Sequence, residues 1–200
     1  MVKAEIIQRV LLVKYKDAGG TAFTLEKDSS QYIVSAKHVF PALTRKDKIE
    51  IFVDSQWEKI EVVPIFPKDN SIDIVAFKLK KELTVALDIE LGSKGLIYSQ
   101  DAFFLGYPYS FKHRQYMAKS GSPIPIVKKA IVSALLGDAI LLDGNNNVGF
   151  SGAPVVINNS KNKSQIVAVI SGYYPDPETG ENSGIIKAYA LDAILDAIDD

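Results

Sequence analysis

Gly149-Phe150-Ser151-Gly152-Ala153-Pro154-Val155-Val156-Ile157 sets a serine between two glycines on a tight turn that runs into an apolar strand. Glycines supply the positive φ such turns need. The same rhythm extends in both directions. Short runs rich in Val, Ile, Phe and Tyr recur about every ten residues, punctuated by Gly, Pro, Asp and Asn, which is the pattern of many antiparallel strands. Strands are predicted near 6–14, 21–26, 31–36, 49–53, 59–65 and 73–79, and a second set near 96–98, 102–106, 126–135, 139–142, 154–158, 165–173 and 184–189. Helical spacing is convincing only in ALDAILDAI, 190–198. The expected fold is therefore all-β, with two antiparallel barrels of six strands each and a C-terminal α-helix. The strand rhythm breaks in 80–95, around KLKKEL and LGSKG, which places the domain boundary between 1–88 and 89–200.

Composition narrows the function. The chain has 200 residues, 47% of them hydrophobic and 24% charged, and a chain of this size buries roughly 70% of its unfolded surface. A core forms without staples. Lys+Arg number 23 against 24 Asp+Glu, for a net charge of -1, so no basic field exists to hold a phosphate backbone and no nucleic-acid partner is expected. The absence of cysteine removes disulfide scaffolds, thiol nucleophiles and Cys-containing zinc sites. The N-terminal stretch MVKAEIIQRVLLVKY is broken by Glu5, Gln8 and Arg9 and reads neither as a signal peptide nor as a membrane span; the expected setting is cytoplasmic, without membrane association. No dinucleotide or P-loop glycine motif occurs, and the two histidines, His38 and His113, stand far apart outside any metal-ligand spacing. No cofactor and no metal are expected.

Three local patterns remain. Gly20-Thr21-Ala22-Phe23 precedes Tyr32-Ile33-Val34-Ser35-Ala36-Lys37-His38, which puts a histidine just past a strand. Asp73 opens the apolar strand Ile74-Val75-Ala76-Phe77. Ser151 sits in the glycine turn quoted above. Singly, each has a plain structural reading: a strand-end histidine, a turn aspartate, a glycine-rich turn. Together, and in this chain order, they resemble the trypsin-like (chymotrypsin-fold) serine peptidases, and more closely the cysteine-free branch that is HtrA-protease-like or glutamyl-endopeptidase-like. The resemblance covers nearly the whole chain from Gly20 onward. It rests on SerAlaLysHis at 35–38 and GlyPheSerGlyAlaPro at 149–154, with Ala153 standing where a third glycine is usual.

The resemblance implies a serine endopeptidase acting on polypeptides, with Ser151 as nucleophile, His38 as general base and Asp73 orienting the imidazole, the His and Asp in the first barrel and the Ser in the second. It implies an oxyanion hole from the backbone N–H groups of Gly149 and Ser151. The substrate-binding positions fall on Asn145, on Ser171-Gly172-Tyr173 and on Gly184; an uncharged Asn145 and the bulk of Tyr173 imply uncharged, small or medium P1 side chains, with Asp143 as the alternative pocket acid. His113, within Lys112-His113-Arg114, reads as a loop residue, and Asp54 and Asp69 open no apolar strand. Phe150 replaces the acid that pairs with a new N-terminus in zymogen-activated members, so the turn must be ordered by packing, by the loop 107–125 with its three prolines, or by an activating partner protein. The alternative function is a catalytically silent relative whose cleft binds peptides or a partner.

Overall fold

Neighbouring residues of the second and third strands serve two different cores, which is why both are buried along most of their length. Successive side chains of a strand point to opposite faces: Ala22 and Ile33 face the interior of the first sheet, while Phe23, Leu25, Tyr32 and Val34 face the second half of the molecule. The computed structural model describes residues 1–45, 47–110 and 121–199. Its first half comprises α1 (Ala4–Ile7), β1 (Val10–Tyr15), β2 (Ala18–Lys27), β3 (Ser30–Ser35), β4 (Lys48–Val53), β5 (Gln56–Glu61), β6 (Pro64–Ile65) and β7 (Val75–Lys78). The second comprises β8 (Glu90–Leu91), β9 (Asp101–Gly106), β10 (Ile126–Leu136), β11 (Ala139–Asp143), β12 (Pro154–Asn158), β13 (Ser164–Pro175), β14 (Asn182–Ala190) and α2 (Asp192–Asp199).

The mostly-β, two-sheet architecture with a closing helix is as expected, but the two halves close differently. In the second, β12-β9-β10-β11-β14-β13 returns to β12 through the β12–β13 pairing, giving a closed six-stranded barrel with β8 added in parallel outside β13. The first sheet runs β5-β4-β1-β2-β3-β7-β6 and curls into a half-barrel; among the described residues no ladder joins β5 to β6. The expected strand at 59–65 is split at 62–63, where the chain passes from pairing with β4 to pairing with β7. Two further strand expectations differ. The segment 4–7 is a helical turn whose Ile6 is buried, with β1 starting at Val10, and 96–98 is a turn rather than a strand. Among the described residues no helix is long and apolar enough to cross a membrane.

A buried polar network ties the connection between the sheets to the first of them. Arg9 is only 1% exposed; its guanidinium pairs with Glu26 at 2.6 Å and donates to the carbonyl oxygens of Val85 (2.7 Å) and Thr24 (3.3 Å). Gln31 donates to Glu26 and to the Thr84 carbonyl and accepts from the N–H groups of Leu83 and Thr84. Removing one partner of a buried pair leaves the other charge uncompensated. Arg9→Ala is accordingly expected to lower the free energy of unfolding by about 3–5 kcal/mol, read from urea denaturation; a loss below about 1 kcal/mol would reduce the network to an ordinary surface contact.

Candidate active site

His38 and Asp73 leave the same end of one ladder. β3 and β7 pair antiparallel with Ser35 opposite Val75, so the residues that follow Ser35 lie beside those that precede Val75. Ile72 and Ile74 turn into the core at 4% and 0% exposure, which points Asp73, between them, the other way. His38 lies in the short 3-10 turn Lys37–Val39. Its backbone N–H donates to Asp73 Oδ1 at 2.9 Å, and Nδ1 lies 2.6 Å from Asp73 Oδ2. The same Oδ2 accepts the Ser171 hydroxyl at 2.6 Å from across the cleft between the halves.

Burial pushes the Asp73 carboxyl up, yet the bonds from the His38 ring and the Ser171 hydroxyl, with the His38 backbone N–H, outweigh it and leave its pKa below the usual carboxylate value. An ionised carboxylate can only accept. The shared proton therefore belongs to Nδ1, and Nε2 of the neutral ring is left as an acceptor. Nε2 lies 2.9 Å from Ser151 Oγ; the competing acceptor for that hydroxyl, the Ser171 carbonyl, is farther at 3.3 Å. The histidine side chain is 51% exposed, so it opens to the cleft in which a substrate would lie.

The turn bearing Ser151 is defined by what each backbone group does. The carbonyl of Val148 accepts from the Tyr109 N–H (2.7 Å), that of Gly149 from the Thr21 hydroxyl (2.7 Å), that of Phe150 from the Ala153 N–H (2.9 Å) and that of Ser151 from the Thr21 N–H (2.8 Å). The N–H groups of Phe150 and Gly152 are likewise occupied, by the carbonyls of Asn147 and Ile170. Of the four N–H groups from 149 to 152, those of Gly149 and Ser151 have no acceptor among the described residues. Buried backbone donors are normally paired, and two left open on one turn beside a hydroxyl form a ready receptor for a developing negative oxygen.

Gly149 (φ 102°) and Gly152 (φ 87°) carry this turn through the left-handed region. A Cβ at Gly149 would collide with the Tyr107 carbonyl oxygen and meet Tyr109 N at 2.9 Å; one at Gly152 would strike the Thr21 carbonyl and meet Ala36 N at 2.9 Å. Phe150 is fully buried, edge-on to Phe104 with centroids 5.0 Å apart. Packing of Phe150 and the bonds to Thr21, Tyr109 and Ile170 hold the turn in this conformation.

Gly144 N–H donates to the Gly184 carbonyl at 2.9 Å and joins the segment after β11 to the start of β14, the strand that pairs with the β13 segment Ser171-Gly172-Tyr173. Asn145 is exposed, and Asp143 is exposed as well. The polar residue held inside is the next one: Asn146, 3% exposed, donates from Nδ2 to the Gly172 carbonyl at 3.1 Å. Asn182 braces it, donating from Nδ2 to the Asn146 carbonyl at 2.6 Å and accepting the Gly184 N–H at 2.9 Å. Tyr173 is 39% exposed at the rim. Thr21, Asn146 and Asn182 received no role from the sequence; their partners lie 128, 26 and 36 residues away, and no local motif marks them. Asp54 falls in the β4–β5 turn and Asp69 caps a turn through Ser71 N–H. His113 lies outside the described residues. Among the described residues no group of three or more His, Asp or Glu side chains is placed to hold a metal.

No protein-family model matches the chain, and no curated protein matches it in sequence. Solved structures match along nearly all of it. The Rv3671c protease of M. tuberculosis in its inactive form superposes with a TM-score of 0.67 at 14% identity, over 98% of this chain and 90% of that one. The HtrA-type protease AlgW with a tripeptide gives 0.68 at 18% identity, over 98% of this chain and 60% of that one. A serine endoprotease from Yersinia pestis gives 0.68 at 19%, over 98% and 63%. The chain spans about three fifths of the length of the latter two. What these likenesses share with it is the chymotrypsin-like fold.

Proposed function

With that fold as premise, we propose that the protein is a serine endopeptidase that cleaves polypeptides through an acyl-enzyme. The observation that carries the reading is the run of contacts from Asp73 through His38 to the Ser151 hydroxyl, with two unengaged N–H groups on the same turn. A neutral hydroxyl is a weak nucleophile until a base takes its proton. His38 Nε2 accepts that proton as Ser151 Oγ attacks the carbonyl carbon, and Asp73 stabilises the imidazolium that results. The carbonyl oxygen, now negative, moves between the N–H groups of Gly149 and Ser151. Collapse of the tetrahedral intermediate expels the amine, which takes the proton from His38, and the ester on Ser151 remains. Water then attacks this ester by the same route in reverse, His38 again serving first as base and then as acid. The contacts fit hydrolysis better than peptide holding, since a cleft that only binds has no use for an imidazole tautomer set by a carboxylate.

The substrate lies extended along 171–173, where main-chain pairing supplies affinity and side-chain pockets supply choice. Asn146, buried with its amide donated to the Gly172 carbonyl, sets an uncharged side chain beside this strand, which favours uncharged P1 residues. Incubation of a denatured proteome with wild-type protein and with Ser151→Ala is expected to give new termini in the wild-type digest alone, most of them after small uncharged residues, which exceed Lys and Arg at P1 by about tenfold or more. No new termini with the wild type would contradict peptidase activity. Dominant cleavage after Lys or Arg would leave the peptidase reading standing and overturn the pocket assignment.

A further inference from the structure

We propose that Thr21, a buried residue of the opposite half of the molecule, is a positioning residue that holds the oxyanion-binding turn open; this rests on the peptidase reading above. Thr21 is fully buried and grips the turn twice. Its backbone N–H donates to the Ser151 carbonyl at 2.8 Å, and its hydroxyl donates to the Gly149 carbonyl at 2.7 Å. The hydroxyl also accepts the Tyr107 N–H at 3.0 Å, so its proton is committed to Gly149. Thr21 is in turn fixed: its own carbonyl accepts the Ser35 hydroxyl at 2.7 Å, and its β-branched side chain has restricted χ1 freedom.

The consequence follows from the backbone of Gly149. Its two neighbouring peptides are oriented by two carbonyls, that of Val148, held by Tyr109 N–H, and its own, held by Thr21. The hole needs both N–H groups, 149 and 151, to face one point. The peptide between them is 149–150: its N–H, that of Phe150, donates to the Asn147 carbonyl at 3.1 Å, and among the described residues its oxygen is held by the Thr21 hydroxyl alone. Of the four carbonyls from 148 to 151, this is the one secured by a side chain. Without that hydroxyl the Gly149 carbonyl and the Tyr107 N–H are left buried and unpaired, which is costly; Gly149, lacking a Cβ, adds no steric resistance to rotation of the peptide, and the longer bond from the Phe150 N–H to the Asn147 carbonyl is what remains to oppose it. Rotation turns the flanking donors out of register. Ground-state binding along 171–173 does not involve Thr21, so the loss falls on the transition state.

Thr21→Val keeps the shape and removes the hydroxyl, and Thr21→Ser keeps the hydroxyl. On a fluorogenic peptide, Thr21→Val is expected to lower kcat about 10- to 100-fold, less than the loss of a hole donor itself, with KM within about twofold of wild type; Thr21→Ser restores most of kcat. Affinity for a peptide aldehyde, whose hemiacetal with Ser151 carries the oxyanion, falls with kcat, while affinity for a cleavage-product peptide does not. Should Thr21→Val fail to fold, Thr21→Cys, with a weaker donor in the same place, is expected to lose kcat in the same selective way. Variants without the hydroxyl that match wild type in kcat, or that lose aldehyde and product binding equally, overturn the inference alone. Wild-type protein that neither turns over peptide nor binds the aldehyde overturns the peptidase reading and this inference with it.

Discussion

Replacing Ser151 by alanine is expected to lower turnover of a peptide substrate by about 10⁶-fold with little change in the unfolding transition. The hydroxyl makes its contacts only at the cleft surface, to His38 Nε2 and the Ser171 carbonyl, whereas the turn is held by backbone bonds and by the buried ring of Phe150. Loss of Oγ removes the covalent route and leaves the N–H groups of 149 and 151 intact. A residual acceleration of roughly 10³–10⁴ over water is what a hole and a binding strand supply without a nucleophile. Pre-steady-state kinetics with an ester substrate in excess check this: wild type gives a burst of leaving group equal to the enzyme concentration and Ser151→Ala gives none.

Asp73→Asn is expected to cost about 10⁴-fold in kcat at near-native stability. Asparagine fills the same volume, and with its oxygen in the Oδ1 place it still accepts the His38 backbone N–H, while its nitrogen takes the Oδ2 place that faces Nδ1 and the Ser171 hydroxyl oxygen. What changes is the proton on the imidazole. An amide nitrogen facing Nδ1 donates, so Nδ1 becomes the acceptor and Nε2 carries the hydrogen, which leaves Ser151 without a base. The same substitution has a thermodynamic signature. A carboxyl whose pKa is lower folded than unfolded contributes stability at pH values above its ordinary range and loses it as pH falls through the folded value, and Asp73 is such a group. The acid limb of a plot of unfolding free energy against pH is therefore expected to be shallower for Asp73→Asn than for wild type. A variant with wild-type kcat would remove the tautomer from the mechanism.

How far the sequence was legible depends on the range of the contacts. Local patterns marked His38, Asp73 and Ser151 because each sits where a strand meets a turn, and strand alternation and turn glycines are visible in a few residues. β12 and β14 were placed within two residues at either end for the same reason. The open side of the first sheet was not legible: closure of a barrel depends on whether β5 and β6 meet, and neither strand's pattern records its absent neighbour. The polar residue beside the β13 strand was read as Asn145 and lies at Asn146, because three consecutive asparagines at 145–147 carry no periodicity to say which one turns inward. Ser171 reads in the sequence as a substrate-binding position, and no local pattern marks its hydroxyl contact to Asp73, which spans 98 residues. Thr21 was quoted as part of a strand; its significance lies entirely in the two carbonyls it meets at 149 and 151.

A fluorophosphonate reacts with a serine only when a base and an oxyanion-binding site activate it, so the intact mass of the protein after exposure to such a probe reports on all parts of the site at once. Wild-type protein is predicted to gain one phosphonyl group, mapped by peptide sequencing to Ser151, with Asp73→Asn labelled far more slowly and Ser151→Ala not at all. Wild-type protein that stays unlabelled, or a label that persists in Ser151→Ala, would contradict the assignment of this cleft as a serine peptidase active site.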